Sequence, residues 1–160
     1  SPRRAGFSLS VDQIESLTNH HNVIGIKESE RDFFHHTKLL ARLGDKLSVM
    51  TGPCHFIFPN FALGAAGFIA TGPEFTDMLP SDMADAGRKE PGPVYRHAHN
   101  QLTALYEMLM GTATWPAGFK AALNLIGLPA GVPRDPVMAA TQQDIDRIKK
   151  TFDQLGIRYK

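Results

Sequence analysis

The chain has 160 residues, 42% of them hydrophobic, with 17 basic against 16 acidic side chains and a formal net charge of +1. That apolar share supports a packed core and argues against global disorder. The charge balance gives no reason to expect nucleic acid or an anionic membrane as partner, and apolar runs such as Phe61 to Ala70 are too short to span a bilayer.

The single cysteine, Cys54, excludes an intrachain disulfide framework, and a reducing cytoplasm is its simplest compartment. The opening run Ser1-Pro2-Arg3-Arg4-Ala5-Gly6 is basic, but no apolar stretch of signal-peptide kind follows it. It lacks a starting Met and reads as the middle of a loop, so further chain is expected upstream.

Ser10-Val11-Asp12-Gln13 is a capping-box pattern that predicts a helix with Ile14 and Leu17 on its apolar stripe, ending at His20-His21-Asn22. Val23 to Lys27 reads as a short buried strand. A helix is expected from Asp32 to Leu43 with Gly44 as the residue that closes it, then a strand over Leu47 to Thr51. Phe56 to Leu63 suggests a short helix despite Pro59, and Gly67 to Thr71 a third strand. A helix from Glu74 to Arg88 follows. Strands alternating with helices imply right-handed β-α-β units and a parallel sheet.

Lys89-Glu90-Pro91-Gly92-Pro93 breaks that alternation. Beyond it only helices are expected. One covers Val94 to Met110 with Ala98, Leu102, Leu105 and Leu109 on one face. Another runs from near Pro116 to Gly127, and a third is capped by Thr141, carries Ile145, Ile148, Phe152 and Leu155, and ends at Gly156. The predicted division is residues 1–90 for the β-α part and 91–160 for a helical domain. No repeat at a fixed period and no low-complexity tract is present.

Lys27 is the informative residue. The other lysines sit in polar or helical contexts, whereas Lys27 closes an apolar strand. In a parallel barrel the active site lies at the C-terminal strand ends. A lysine there points its amine into the mouth, partly desolvated, and desolvation lowers an amine pKa from about 10.4. The neutral amine can attack a ketone and form an imine, an electron sink. The alternative for Lys27 is a strand-end ion pair with Glu28 or another carboxylate.

Other signals carry less. Cys54-His55 are adjacent and seldom would face each other as a nucleophile pair. His20-His21 and His35-His36 lack the i, i+4 spacing of a helical metal site, and His97 and His99 diverge on a helix. No metal site and no cofactor are expected. Gly64-Ala65-Ala66-Gly67 leads into a strand and lacks the lysine of a phosphate loop.

Val23-Ile24-Gly25-Ile26-Lys27-Glu28-Ser29 resembles the Schiff-base strand of the dihydrodipicolinate synthase / N-acetylneuraminate lyase family. Thr51-Gly52 and Ala62-Leu63-Gly64-Ala65-Ala66-Gly67-Phe68-Ile69-Ala70 resemble its next two strands. Pro2-Arg3-Arg4-Ala5-Gly6 resembles its Pro-x-Arg-x-Gly loop, and Pro116 to Pro129 its tail helix. The resemblance covers nearly the whole chain.

The resemblance implies an α/β fold: a partial (β/α)₈ TIM barrel, here its last three β-α units, strands six to eight, with a C-terminal all-helical appendage. It implies a class I lyase or aldolase acting on pyruvate or a related 2-oxo acid through a lysine imine, in a homo-oligomer, tetramer or dimer. Lys27 matches the imine lysine and Arg4 the arginine that binds a substrate carboxylate. Gly52 and Ile69 match residues lining the imine pocket, and Thr51 is expected beside them at the strand end. The proton-relay tyrosine of the family would lie upstream of Ser1, so these 160 residues alone are expected to be catalytically incomplete.

The sequence also departs from the pattern. Gly52-Pro53-Cys54-His55 stands where a Gly-Asp-Asp run is usual, and Thr71-Gly72-Pro73-Glu74 where a small polar residue and Ala-Asn are usual. These loops face the second substrate, so aspartate semialdehyde is not assumed as acceptor. A 2-keto-3-deoxy sugar acid aldolase or dehydratase of the same family is an alternative. So is a non-catalytic barrel relative that binds a small 2-oxo acid.

Overall fold

The structure, a computed structural model, describes residues 2–89, 91–112 and 114–160, and for Arg3 and Arg4 the backbone only. The expected loop at the start is a single helical turn, α1 (Pro2–Ala5). In α2 (Val11–Leu17) the Ser10 hydroxyl accepts from the Gln13 amide, while the Gln13 side chain accepts from the Ser10 amide at 2.8 Å. Both orphan donors of the first turn are thereby satisfied. The helix stops short of His20 because the Thr18 hydroxyl turns back onto the Glu15 carbonyl at 2.8 Å and competes with the helical ladder.

Strand β1 (Gly25–Glu28) begins two residues later than expected and reaches Glu28. In α3 (Phe33–Leu43) Asp32 caps the Phe34 amide at 2.9 Å. Gly44 closes α3 in a right-handed conformation, φ −57°, rather than the left-handed one usual for a closing glycine. Glycine suits the position because a Cβ would sit 2.7 Å from the Leu40 carbonyl oxygen.

Strand β2 (Ser48–Thr51) leads into a 3-10 turn, Cys54–Phe56, and α4 (Ile57–Ala62). Pro59 lies in the first turn of α4, where no helical bond needs its missing N–H. Strand β3 (Gly67–Phe68) is shorter than expected, although the Ile69 amide still donates to the Thr51 carbonyl at 2.9 Å.

The single helix expected over Glu74 to Arg88 is two pieces, a 3-10 turn (Pro73–Phe75) and α5 (Pro80–Gly87). Pro80 causes the break: it forces Leu79 to an extended ψ of 146° and itself takes the first helical position. Helices α6 (Pro93–Gly111), α7 (Ala117–Leu125) and α8 (Gln142–Leu155) follow. Pro116 precedes α7 as its cap instead of opening it. Thr141 and Asp144 form a second capping box, and Gly156 ends α8 with φ 68°, which suits glycine. No helix among the described residues is long and apolar enough to cross a membrane.

The three strands form a parallel sheet in the order β1-β2-β3, with Lys27 opposite Met50 and Glu28 opposite Thr51, and then Met50 opposite Gly67 and Thr51 opposite Phe68. Alternation along the strands sends these pairs to opposite faces. One face meets α2 and α3 through Val11, Ile14, Leu39, Leu43, Val49 and the half-buried Ile26. A second cluster joins α4 and α5 to Ala98 and Leu102 of α6, so apolar packing crosses from the β-α part into the helical part. A third ties α6, α7 and α8 together around Leu105, Ile148 and Phe152.

Candidate active site at the strand ends

Lys27 is the second-last residue of β1 and shares its face with its partner Met50, away from Ile26 and Val49, which pack against the helices. That face is open. Lys27 is exposed, as is Ser48 on β2, and Ile69 beyond β3 retains 53% of its surface. The half-desolvation expected of Lys27 is therefore not met within these 160 residues, since nothing described covers that side. The expected alternative, an ion pair with Glu28, is also absent: consecutive strand residues point to opposite faces, and Lys27 makes no ion pair among the described residues.

Glu28 ends β1 on the helix side, 6% exposed. One carboxylate oxygen accepts from the Glu30 amide at 2.7 Å, and the other meets His35 Nε2 at 3.2 Å. The other four residues expected at the site divide. The Arg4 side chain lies outside the described residues. Ile69 reaches the open face beyond β3, on the side of Lys27.

Gly52 lies at the end of β2, and its amide donates to the Glu28 carbonyl at 2.7 Å. A Cβ there would stand 2.6 Å from that carbonyl and 2.3 Å from the Ser29 hydroxyl. The close approach of the two strand ends thus requires a glycine at this position. Thr71 is half-buried, three residues past the end of β3.

Thr51, expected to touch substrate, turns its side chain the other way. It is 0% exposed on the helix side, where its Oγ1 accepts from Asn60 Nδ2 at 2.9 Å. The same amide nitrogen lies 2.8 Å from His36 Nδ1, and His36 Nε2 lies 2.8 Å from the Glu30 carbonyl. His36 and Asn60 are themselves 0% exposed. Sequence reasoning missed this cluster because its members are 9 and 24 residues apart and no local pattern links them.

Burial pushes the Cys54 thiol up to about 12, and its Sγ–H lies 3.4 Å from the Leu102 carbonyl, so it is packing rather than a nucleophile. His55 is pushed down to about 4, first by burial and then by His99, Arg31 and His36 nearby. Its ring lies tilted against that of Tyr106 of α6, the centroids 4.0 Å apart. Among the described residues no group of three or more His, Cys, Asp or Glu could hold a metal ion.

A parallel β-α sheet with a lysine on its uncovered face at the C-terminal strand ends is the arrangement in which parallel α/β proteins place their ligand sites. The family model described as "Dihydrodipicolinate synthetase family" matches residues 1–155, and the chain belongs to that family.

A DapA-like lyase from Pyrobaculum arsenaticum is 28% identical over 98% of this chain and 55% of its own length. A 4-hydroxy-tetrahydrodipicolinate synthase from Prochlorococcus marinus is 30% identical over 96% of this chain and 51% of its own. The solved dihydrodipicolinate synthase of Aquifex aeolicus superposes with a TM-score of 0.85 at 23% identity, over 100% of this chain and 55% of that one. The chain spans about half the length of the relatives it matches.

Proposed function

We propose that this chain supplies the last three β-α units and the helical tail of a (β/α)₈ barrel lyase, acting on pyruvate or a related 2-oxo acid through an imine on Lys27. The observation that carries the reading is the placement of Lys27: at the C-terminal end of a parallel strand, on the face away from the helices, with no carboxylate partner among the described residues. Covering that face would desolvate the amine, and a neutral amine attacks a ketone carbon and expels water to leave the imine. The imine withdraws electrons from the neighbouring carbon, so carbon–carbon bond formation or cleavage needs no added cofactor.

In this reading Arg4 holds the substrate carboxylate with a two-pronged guanidinium contact. Gly52 and Ile69 line the imine pocket, and Thr51 serves from behind the sheet rather than as a contact. The β-α part, residues 1–90, and the helical part, residues 91–160, act as parts of one catalytic subunit within a homo-oligomer. The acceptor is not assigned to aspartate semialdehyde, because Pro53-Cys54-His55 replaces an acidic pair and Cys54 is turned into the core.

The test is borohydride trapping with pyruvate on the intact protein, followed by peptide mapping. A reduced adduct on Lys27 is expected, and Lys27→Ala and Lys27→Arg should both abolish it, since a guanidinium stays protonated. An adduct on another lysine, or turnover retained in either variant, overturns the reading.

A further inference from the structure

We propose that Asn60 is a positioning residue for the imine chemistry, holding the ends of β1 and β2 in register through His36 and Thr51; this rests on the reading of Lys27 above. Asn60 is 0% exposed, between α3 and the sheet. The hydrogen-bond roles in its cluster are determined by the atoms present. A carbonyl oxygen only accepts, so His36 Nε2 carries the proton that reaches the Glu30 carbonyl at 2.8 Å. His36 Nδ1 is then a lone pair and accepts from Asn60 Nδ2 at 2.8 Å. The second N–H of the same amide goes to Thr51 Oγ1 at 2.9 Å. Burial holds His36 below the usual imidazole range, which keeps this neutral tautomer in place.

An amide at position 60 offers two N–H donors to these two acceptors without burying a charge. A carboxylate has none and a hydroxyl has one. The groups it joins flank the proposed chemistry. The Glu30 carbonyl is three residues past Lys27, and Thr51 immediately precedes Gly52. From Thr51 the connection continues through the backbone: the Gly52 amide donates to the Glu28 carbonyl at 2.7 Å, and the Ile69 amide to the Thr51 carbonyl at 2.9 Å. Lys27, Gly52 and Ile69 thus hang from three strand ends that meet at Thr51. The hydroxyl of Thr51 is set by Asn60 from the side opposite the substrate.

The test measures trapping of pyruvate on Lys27 in the intact protein as a function of pyruvate concentration. Displacing a reacting group by an ångström can cost on the order of 100-fold in rate. Asn60→Leu should slow trapping at saturating pyruvate by about 10- to 100-fold, while the half-saturating concentration moves less than about threefold. Thr51→Val should do the same and Thr51→Ser, which keeps the hydroxyl, should restore the wild-type rate. Combining Asn60→Leu with Thr51→Val should add little to either alone, as expected of residues acting as one unit.

A folded Asn60→Leu protein with wild-type trapping, or Thr51→Ser as slow as Thr51→Val, overturns the proposal. Should Asn60→Leu fail to fold, the Thr51→Val and Thr51→Ser pair decides alone. A wild-type protein that forms no adduct overturns the lysine reading and this proposal with it. An adduct that forms in the wild type and persists undiminished in the variants overturns the positioning role alone.

Discussion

The two faces of the sheet use the same strands to opposite ends. Toward the helices, Val49 and Thr51 are 1% and 0% exposed, and the polar groups among the apolar ones are tied into the Glu28–His35 and His36–Asn60–Thr51 contacts. Toward the other side, Lys27 and Ser48 are exposed and Ile69 keeps 53% of its surface. Alternation of side chains along a strand makes this possible within four residues: Ile26 and Glu28 hold β1 in place, and Lys27 between them is left exposed on the open face. In the proposed reading, holding the reacting amine and anchoring the strand that carries it fall to adjacent positions.

The comparison breaks most visibly if residues on the helix side prove dispensable. Leu43 is fully buried between α3 and the sheet, so Leu43→Ala should cost about 2–5 kcal/mol, the usual loss when a packed leucine leaves a cavity. Urea unfolding measures it, and a loss below about 1 kcal/mol would mean that this face collapses around the gap. Lys27→Ala, on the open face, should leave the same midpoint within about 0.5 kcal/mol, as surface changes do.

A smaller effect is expected where the two faces meet. Gly52→Ala places a methyl 2.6 Å from the Glu28 carbonyl and 2.3 Å from the Ser29 hydroxyl. Overpacking of this kind costs about 1–3 kcal/mol. The same substitution should slow pyruvate trapping, because the displaced segment adjoins Lys27. A stability loss with trapping unchanged would separate Gly52 from the chemistry.

The smallest effect is a dependence on pH. His36 faces Glu28, Glu30 and His35, and His55 faces His99, Arg31 and His36; both imidazoles are depressed chiefly by burial, His55 to about 4. A depressed native pKa means that the unfolded chain binds more protons. The stabilising contribution is then complete above the ordinary value of 6.5 and is lost as pH falls toward the native value. The urea midpoint should hold steady above pH 7 and decline as pH falls from about 6.5 to 4. His55→Phe keeps an aromatic ring against Tyr106 and should flatten part of that decline. An identical profile in the variant would remove His55 as its source.

Local signals account for most of what could be read without the structure. The Ser10–Gln13 and Thr141–Asp144 boxes and the apolar spacing of α6 and α8 act over one or two helical turns, and each produced the expected element. Pro80 was also legible, as a first-turn proline, and would have divided the span from Glu74 to Arg88 correctly. Lys27 stood out because a charge at the end of an apolar run is costly unless it has a purpose.

The sequence by itself therefore determined the order of strands and helices, the family and the lysine on which the functional reading rests. Tertiary structure alone decided which way each strand residue faces. Thr51 looked like a contact at the site until the register set it opposite Glu28 and turned its hydroxyl toward Asn60. Gly52 matched a pocket-lining residue, and only the structure showed that Ser29 and Glu28 also leave no space for a Cβ there. Asn60 gave no signal at all, because its partners lie 9 and 24 residues away. Capping and periodicity act through neighbouring backbone groups and are written locally, whereas register and buried hydrogen bonds join segments that only packing brings together.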